Sequence, residues 1–347
     1  MHRSYFHSLD AGQKTMHPFA RFIQILAKGR NGMRSLTQDE AYEAMQMIAR
    51  YDVEPEQLGA FLMLMRVKEE TAEEVAGFTL ALRESLPTAN FNVRPAIDWA
   101  AYAGKKRHLP WFVLAALIVS AQGYPVFMHG MHREDERVYA PEALQVLGIE
   151  IAESIQSAET QLNQYGFSYL PIDKLSPLTA ELIHTRELFG LRPPLHTVAR
   201  MLNPFAAPLT IMGVFHPNYS YIHQHAARLL QQPNGLICKG EGGEFERIPD
   251  RSLELYGLTK NETWTESWGN LLKPGQEIKP DQLDLQHFKQ VWLGEAEDSY
   301  ADAAVSGTLA LVIRSLGIET RASQAQQLAE LWWRERHVAE PSRAAGS

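Results

Sequence analysis

The chain has 347 residues, 45% hydrophobic and 21% charged, enough for two domains and at least one large core, which excludes a disordered chain or a small disulfide scaffold. Thirty-three Lys and Arg against 41 Asp and Glu give a net charge of −8, so no long-range field draws nucleic acid or anionic membrane, and any polyanion site must be local. The single cysteine, Cys238, cannot form an internal disulfide and sits in the apolar stretch Gly235–Cys238, which reads as a buried strand and fits a reducing compartment. The longest apolar run, Leu109–Ala121, falls short of the roughly 20 residues that span a bilayer, and the N-terminus lacks the apolar stretch of a signal peptide. The expectation is a cytoplasmic protein with no membrane partner.

Residues 1–17 are polar and aperiodic and read as a disordered extension. Four helical patterns follow: Phe19–Ala27, Thr37–Ala49, Glu54–Val67 and Thr71–Leu86. Thr37 with Glu40, and Thr71 with Glu74, have the spacing of capping boxes, and Pro55 suits a first helical turn. Residues 18–88 therefore form a small helical domain, with Pro87-Thr88-Ala89-Asn90 leading out of it. Short apolar runs then alternate with helices: Ile97–Tyr102, helix Pro110–Ala121, Tyr124–His129, helix Pro141–Leu147, and later Leu209–Phe215, helix Tyr219–Gln231 and Gly235–Lys239. That alternation predicts an α/β domain over 89–336 with a mainly parallel central sheet. Pro249–Pro280 is polar, with turn signals at Gly257 and Lys273-Pro274-Gly275, and reads as irregular; three helical patterns then close the domain, and 337–347 reads as a disordered tail.

Tyr102–Pro110 joins a predicted strand to a predicted helix and carries Lys105, Lys106, Arg107 and His108. In an open α/β sheet ligands bind at such a carboxyl edge, and free N–H groups at a helix start favour anions, so these four residues are candidate phosphate or nucleic-acid contacts. A second basic island, Lys28, Arg30 and Arg34, lies in an inter-helix loop; residues 1–36 hold six Lys and Arg against one acid, whereas 37–74 hold three against ten. Trp99, Tyr102 and Trp111 flank the first island as candidate base-stacking rings. His129-Gly130 ends the second strand, where a histidine reads as a packed edge residue. His216, His223 and His225 lack metal-ligand spacing. Gly240–Glu246 offers carboxylates suited to Mg²⁺ but reads more simply as an exposed turn between strands. There is no P-loop, dinucleotide fingerprint or nucleophile elbow.

The helical start, Gly123–Gly130, Gly190-Leu191-Arg192 with Leu202-Asn203-Pro204, and Gly213-Val214-Phe215 followed by Lys239-Gly240-Glu241 together resemble anthranilate phosphoribosyltransferase and its relatives in glycosyltransferase family 3, over about residues 18–335. The resemblance implies a helical N-terminal domain that dimerises and a larger α/β domain of the nucleoside phosphorylase/phosphoribosyltransferase type. It also implies that Ala100-Ala101-Tyr102-Ala103-Gly104-Lys105 stands where the enzymes have a glycine-rich loop for the pyrophosphate of phosphoribosyl pyrophosphate, and that Met128-His129-Gly130-Met131 replaces Lys-His-Gly-Asn. Arg133-Glu134-Asp135-Glu136-Arg137 replaces a serine-rich phosphate loop, its acids repelling phosphate. Phe245 and Glu246 stand at the metal-binding Asp-Glu pair, and Arg192 at the arginine that contacts the acceptor carboxylate. Side chains where glycines belong would block the close backbone approach a pyrophosphate needs.

These losses, with a basic stretch in place of the glycine loop, look like the YbiB group, whose members share the fold, lack the substrate motifs and bind nucleic acid as dimers beside the old cleft. The resulting expectation is a non-catalytic homodimer, associating through its helical domain, that binds single-stranded or otherwise accessible nucleic acid sequence-independently through Lys28, Arg30, Arg34, Lys105, Lys106, Arg107 and His108, with no cofactor and no catalytic residue. The alternative is a phosphoribosyl transferase acting on a phosphorylated sugar donor, with Arg192 orienting the acceptor and Glu246 helping to hold Mg²⁺. A third reading is a small metabolite held without turnover by His129 and Arg192.

Overall fold

The computed structural model describes residues 16–29, 31–87, 93–133, 135–273 and 282–336. The readings of residues 1–15 and 337–347 as disordered, and of most of the 87–90 connection, lie outside the described residues.

Four helices open the chain: α1 (Ala20–Ala27), α2 (Gln38–Ala49), α3 (Pro55–Lys68) and α4 (Ala72–Ser85). The Thr37 and Thr71 side chains accept from the backbone N–H of Glu40 and Glu74, and both capping boxes close. The helices meet through an edge-to-face aromatic chain, with Phe19 on Phe61 at 5.3 Å and Phe61 on Phe78 at 6.0 Å.

The remainder runs β1 (Ile97–Ala101), α5 (Phe112–Ala121), β2 (Val126–Gly130), α6 (Ala140–Val146), α7 (Ile155–Tyr165), β3 (Phe167–Pro171), α8 (Ile172–Leu175), α9 (Pro177–Phe189), α10 (Leu195–Ala199), β4 (Leu209–Val214), α11 (Asn218–Leu229), β5 (Asn234–Lys239), β6 (Leu253–Thr259), β7 (Glu262–Trp268), α12 (Leu285–Leu293), α13 (Ser299–Ser315) and α14 (Ala322–Arg334). The strands form one seven-stranded sheet in the order β3-β2-β1-β4-β5-β6-β7. β1 to β5 are parallel and β6 and β7 antiparallel.

Successive strand residues point to opposite faces. Ala100, Phe127, Met212 and Ile237 join the core shared with α1–α4 and α9–α11, while Trp99, Met128, Ile211 and Leu236 join the core under α5, α6 and α12–α14. Burial on both faces explains why the parallel strands read as continuous apolar runs. Cys238 is buried in β5, as its apolar setting predicts.

The segment expected to be irregular after Pro249 is instead a hairpin, β6 and β7. Gly257 is not a turn residue: it lies mid-strand, where a Cβ would come within 2.1 Å of the Trp264 ring, so glycine makes room for the cross-strand indole. The turn is Lys260-Asn261, both at positive φ (53° and 64°), as a two-residue hairpin requires. Among the described residues no helix is long and apolar enough to cross a membrane.

Candidate functional site

The chain leaves β1 for β2 and β3 on one side and places β4 and β5 on the other. Such a switch point opens a crevice at the carboxyl ends of the two central strands. Four segments converge there: the loop after β1 (Tyr102–Trp111), the loop after β2 (Met131–Tyr139), the first residues after β4 (Phe215–Pro217), and the turn after β5 (Gly240–Glu246). The turn packs down on β4 because Gly213 has no side chain; a Cβ there would sit 2.3 Å from the Phe245 nitrogen.

That turn places three carboxylates on the anion-seeking groups of the loop after β1. Glu244 Oε1 accepts from the Ala103 and Gly104 N–H groups, both at 2.6 Å. Glu241 Oε1 accepts from Lys106 N at 3.0 Å and Arg107 N at 2.6 Å, and its Oε2 meets His108 Nδ1 at 2.9 Å and Lys105 Nζ at 3.2 Å. Glu246 lies 2.6 Å from Lys105 Nζ and accepts from Phe112 N, at the start of α5, at 2.8 Å. Converging amides at a strand-to-helix junction would hold a phosphate; here the protein's own glutamates fill them. Burial alone would raise Glu241, but the His108 hydrogen bond, the Lys105 charge and the Arg107 amide hold it far below the ordinary carboxylate range. Burial would lower Lys105, yet the charges of Glu246 and Glu241 hold it above the usual lysine value.

Several sequence expectations are corrected by this arrangement. Lys105 and His108 do not face solvent: Lys105 has no exposed side-chain surface, and His108 is buried against Glu241 and stacked on Tyr300 at 4.1 Å. The Gly240–Glu246 turn is not exposed, since Glu244 and Glu246 are buried. Trp99, Tyr102 and Trp111 are buried too, so none can stack on a base. Lys106 and Arg107 are exposed, Lys106 with Glu136 at 2.6 Å. In the other island Lys28 is exposed, Arg34 is paired bidentately with Glu40 at 2.6 Å on both arms, and Arg30 lies outside the described residues.

Mg²⁺ does not fit the positions at which the resemblance would seat it. Phe245 packs edge-to-face on Trp99 at 5.7 Å, and both oxygens of Glu246 are committed to Lys105 and the Phe112 amide. Among the described residues no group of three or more His, Cys, Asp or Glu is arranged to hold a metal ion. His223 is buried against the Tyr219 carbonyl and His225 packs on Tyr221.

His129 is a core residue. With Asp98 accepting from its Nε2 at 3.2 Å, Nδ1 is left to accept from the Tyr102 hydroxyl at 2.7 Å. Burial, with the neighbouring Tyr169 and Asp98, holds Tyr102 well above the ordinary phenol value.

Next to the filled amides lies a group that sequence spacing does not reveal. The charges of Arg133, Arg186, Arg192 and Arg200 act on His196, and those of Arg137, Arg186 and Arg200 act on Arg192. Lost hydration, then repulsion from Arg186, Arg137 and Arg200, brings Arg192 down to about 10. Burial, then repulsion from Arg200, Arg192, Arg186 and Arg133, drives His196 well below its ordinary value, so it is neutral. Arg133 Nη1, Arg200 Nε and His196 Nε2 are buried with no hydrogen-bond partner among the described residues. Arg137 donates to the Ala103 carbonyl at 2.8 Å, and Arg200 lies over the Tyr102 ring at 5.7 Å. Of the acids of 133–137, Asp135 accepts from the Tyr139 hydroxyl at 3.0 Å and Glu136 pairs with Lys106, both exposed, while Glu134 lies outside the described residues. Of the five arginines, the resemblance marked Arg192 alone as a ligand contact; the others come from three further segments, and only the fold unites them.

Residues 23–86 match the family described as glycosyl transferase family, helical bundle domain. The chain is 25% identical to an anthranilate phosphoribosyltransferase of Thermus thermophilus over 233 residues, covering 65% of this chain and 70% of that one. It is also 25% identical to that of Ignicoccus hospitalis over 290 residues, 82% and 84% of the two chains. In structure it resembles the crystallised anthranilate phosphoribosyltransferase of Thermus thermophilus with a TM-score of 0.76 at 20% identity, covering 93% of this chain and 97% of that one. The Saccharomyces cerevisiae enzyme in complex with PRPP and Mg gives 0.74 at 14% identity, covering 92% and 94%.

Proposed function

We propose that this chain, which has the anthranilate phosphoribosyltransferase-like fold of glycosyltransferase family 3, is a non-catalytic homodimer that binds nucleic acid without sequence preference at the arginine-lined crevice. The observation that carries this reading is the filling of the loop amides by Glu241, Glu244 and Glu246. A pyrophosphate entering there would have to displace buried carboxylates from amide and lysine partners, and would meet negative charge on the way. Of the neighbouring arginines, Arg133 is met by Glu187 at 3.5 Å and Arg200 by the charge of Glu244, whereas the charges acting most on Arg192 are those of other arginines. Guanidinium groups gathered in that way suit a ligand carrying several phosphates. Lys106 and Arg107 on the rim extend the same basic surface.

A second reading, phosphoribosyl transfer, is favoured by the relatives, which carry the name anthranilate phosphoribosyltransferase. It requires the carboxylate turn to move away from the loop after β1 and Arg192 to hold an acceptor. Calorimetry with phosphoribosyl pyrophosphate and Mg²⁺, run beside anisotropy with a labelled oligonucleotide at low salt, separates the two. The expected result is oligonucleotide binding and no heat from the donor; donor heat, or no oligonucleotide binding, overturns the proposal. Sedimentation equilibrium of the full chain should give twice the mass of one chain.

A further inference from the structure

We infer that the cavity lined by Arg83 and Arg94, at the amino ends of β4 and β5, is a site for one small organic anion, its carboxylate or phosphate head on the two guanidinium groups and its apolar body on leucine and proline walls. It lies at the opposite end of the strands from the arginine crevice and is independent of the function proposed there.

The cavity holds about 440 Å³, within the roughly 300–1,000 Å³ of small-molecule sites. The end of α4, the loop that enters β4 (202–207) and the link from α11 to β5 (230–233) enclose it. β4 runs from Leu209 to Val214, about 20 Å, so the crevice at its carboxyl end is a separate place. Arg83, on α4, donates from Nε to the Leu202 carbonyl at 2.9 Å and from Nη2 to the Met201 carbonyl at 2.7 Å, and Arg94 donates from Nε to the Ala206 carbonyl at 2.7 Å. Each guanidinium is thus anchored through Nε. Nη1 of Arg83 and both Nη atoms of Arg94 have no hydrogen-bond partner among the described residues. Among those residues no Asp or Glu lines the cavity. The acid whose charge acts on Arg83 is Asp98 on β1, which accepts from His129 instead. Lost hydration brings Arg83 down to about 10, so it stays charged at neutral pH.

The floor is preformed. Asn203 donates to the Ala207 carbonyl and to Gln232 Oε1, both at 3.0 Å, and accepts from Ala207 N at 2.8 Å, while Gln232 donates to the Ala207 carbonyl at 3.0 Å. Around this network Asn203, Ala206 and Gln231 take positive φ (38°, 50° and 55°), which a residue other than glycine keeps only where its surroundings impose it. Leu86, Leu202, Pro204, Leu230 and Pro233 supply apolar wall. These two chemistries together select the ligand. Inorganic phosphate would leave the walls wet, and a neutral apolar molecule would leave two guanidinium charges without an anion. One molecule with an anionic head and an apolar body satisfies both. It would touch α4 of the helical domain and the loops of the α/β domain at once, so its binding braces one against the other.

The test is calorimetry of the full chain with 1-naphthoate, 1-naphthyl phosphate, the neutral 1-naphthamide, acetate and inorganic phosphate. At least one of the two naphthyl anions should bind with one-to-one stoichiometry and more tightly than the amide, acetate or phosphate, and the tighter of the two identifies the head as carboxylate or phosphate. Arg94→Gln should weaken that binding roughly tenfold to a hundredfold. Leu230→Trp, which fills the cavity without changing its charge, should abolish it, while Arg192→Gln in the crevice should leave it unchanged. The bound anion should raise the melting temperature of wild type more than that of Arg94→Gln. No binding of either naphthyl anion, an amide that binds as tightly as they do, no effect of Arg94→Gln, or loss of binding in Arg192→Gln overturns the site. Arg94 is exposed and bonds the Ala206 carbonyl, so without ligand its Gln variant should melt with wild type, and it tests the site even if Leu230→Trp fails to fold.

Discussion

A lysine with no exposed side-chain surface is tolerated only because two carboxylates share its charge. Lys105 Nζ sits 2.6 Å from Glu246 and 3.2 Å from Glu241, and Glu246 is as fully buried as the lysine. Removing one partner of a buried ionic group leaves the others uncompensated, at a cost of about 3–5 kcal/mol. Lys105→Ala should therefore lower the denaturation midpoint in urea steeply. Lys106→Ala and Arg107→Ala should leave the midpoint where it is and reduce oligonucleotide affinity instead, because both side chains extend into solvent. A Lys105→Ala variant as stable as wild type would mean that the carboxylate cluster does not hold the loop. The three adjacent basic residues look equivalent in sequence. They are separated by the direction each takes from the loop, which local composition does not encode.

At the scale of elements, α10 and α11 each bring a neutral histidine toward the arginines, His223 buried and His196 partly so. His196 on α10 is faced by Arg133, Arg186, Arg192 and Arg200; His223 on α11 donates from Nδ1 to the Tyr219 carbonyl at 2.7 Å and is faced by Arg200. Burial and then Arg200 bring His223 to about 3. Below pH 6.5 the unfolded chain takes up protons at both positions and the folded chain does not, so stability is complete above pH 6.5 and falls as the pH is lowered. Each histidine contributes a slope of up to about 1.4 kcal/mol per pH unit, His223 until the pH reaches about 3. Equilibrium denaturation at pH 7, 6 and 5 reads this slope. His196→Asn and His223→Asn should each remove part of it, and a wild-type stability that is flat across this range would contradict the burial of both rings. The first four helices, and most of the parallel strands, were legible because capping boxes and continuous apolar runs are local signals. The β6–β7 hairpin was hidden because Gly257, which clears space for Trp264, mimics a turn signal, and the true turn is Lys-Asn. β3 and α7–α10, which carry Arg186 on α9 and His196 on α10, lie in a stretch whose mixed polarity marks neither period clearly.

The whole molecule opposes its own site. The chain carries −8 overall, while beside the crevice Arg192 and His196 are acted on chiefly by neighbouring arginines. The two fields respond differently to salt. At 10 mM ionic strength the Debye length is about 30 Å, so the acids spread over the body act on a polyanion approaching the crevice; at 0.1 M it is about 10 Å and they largely do not. Direct contacts between guanidinium groups and phosphates respond through counterion release, with a slope of about −0.7 per contact for a single strand. Three to five such contacts give a slope of roughly −2 to −3.5 in a plot of log affinity against log salt. Affinity should thus fall along that line above 0.1 M and bend toward a plateau below it, where the body's repulsion offsets the gain. Neutralising an exposed acid at the opposite end of the sheet, such as Glu262, which pairs with Thr259 beside the amino end of β5, should straighten the low-salt limb and leave the high-salt slope unchanged. Arg192→Gln should do the reverse, making the slope shallower by about one contact. A slope near zero at all salt concentrations would place the interaction outside the arginine crevice, and with it the function proposed for this fold.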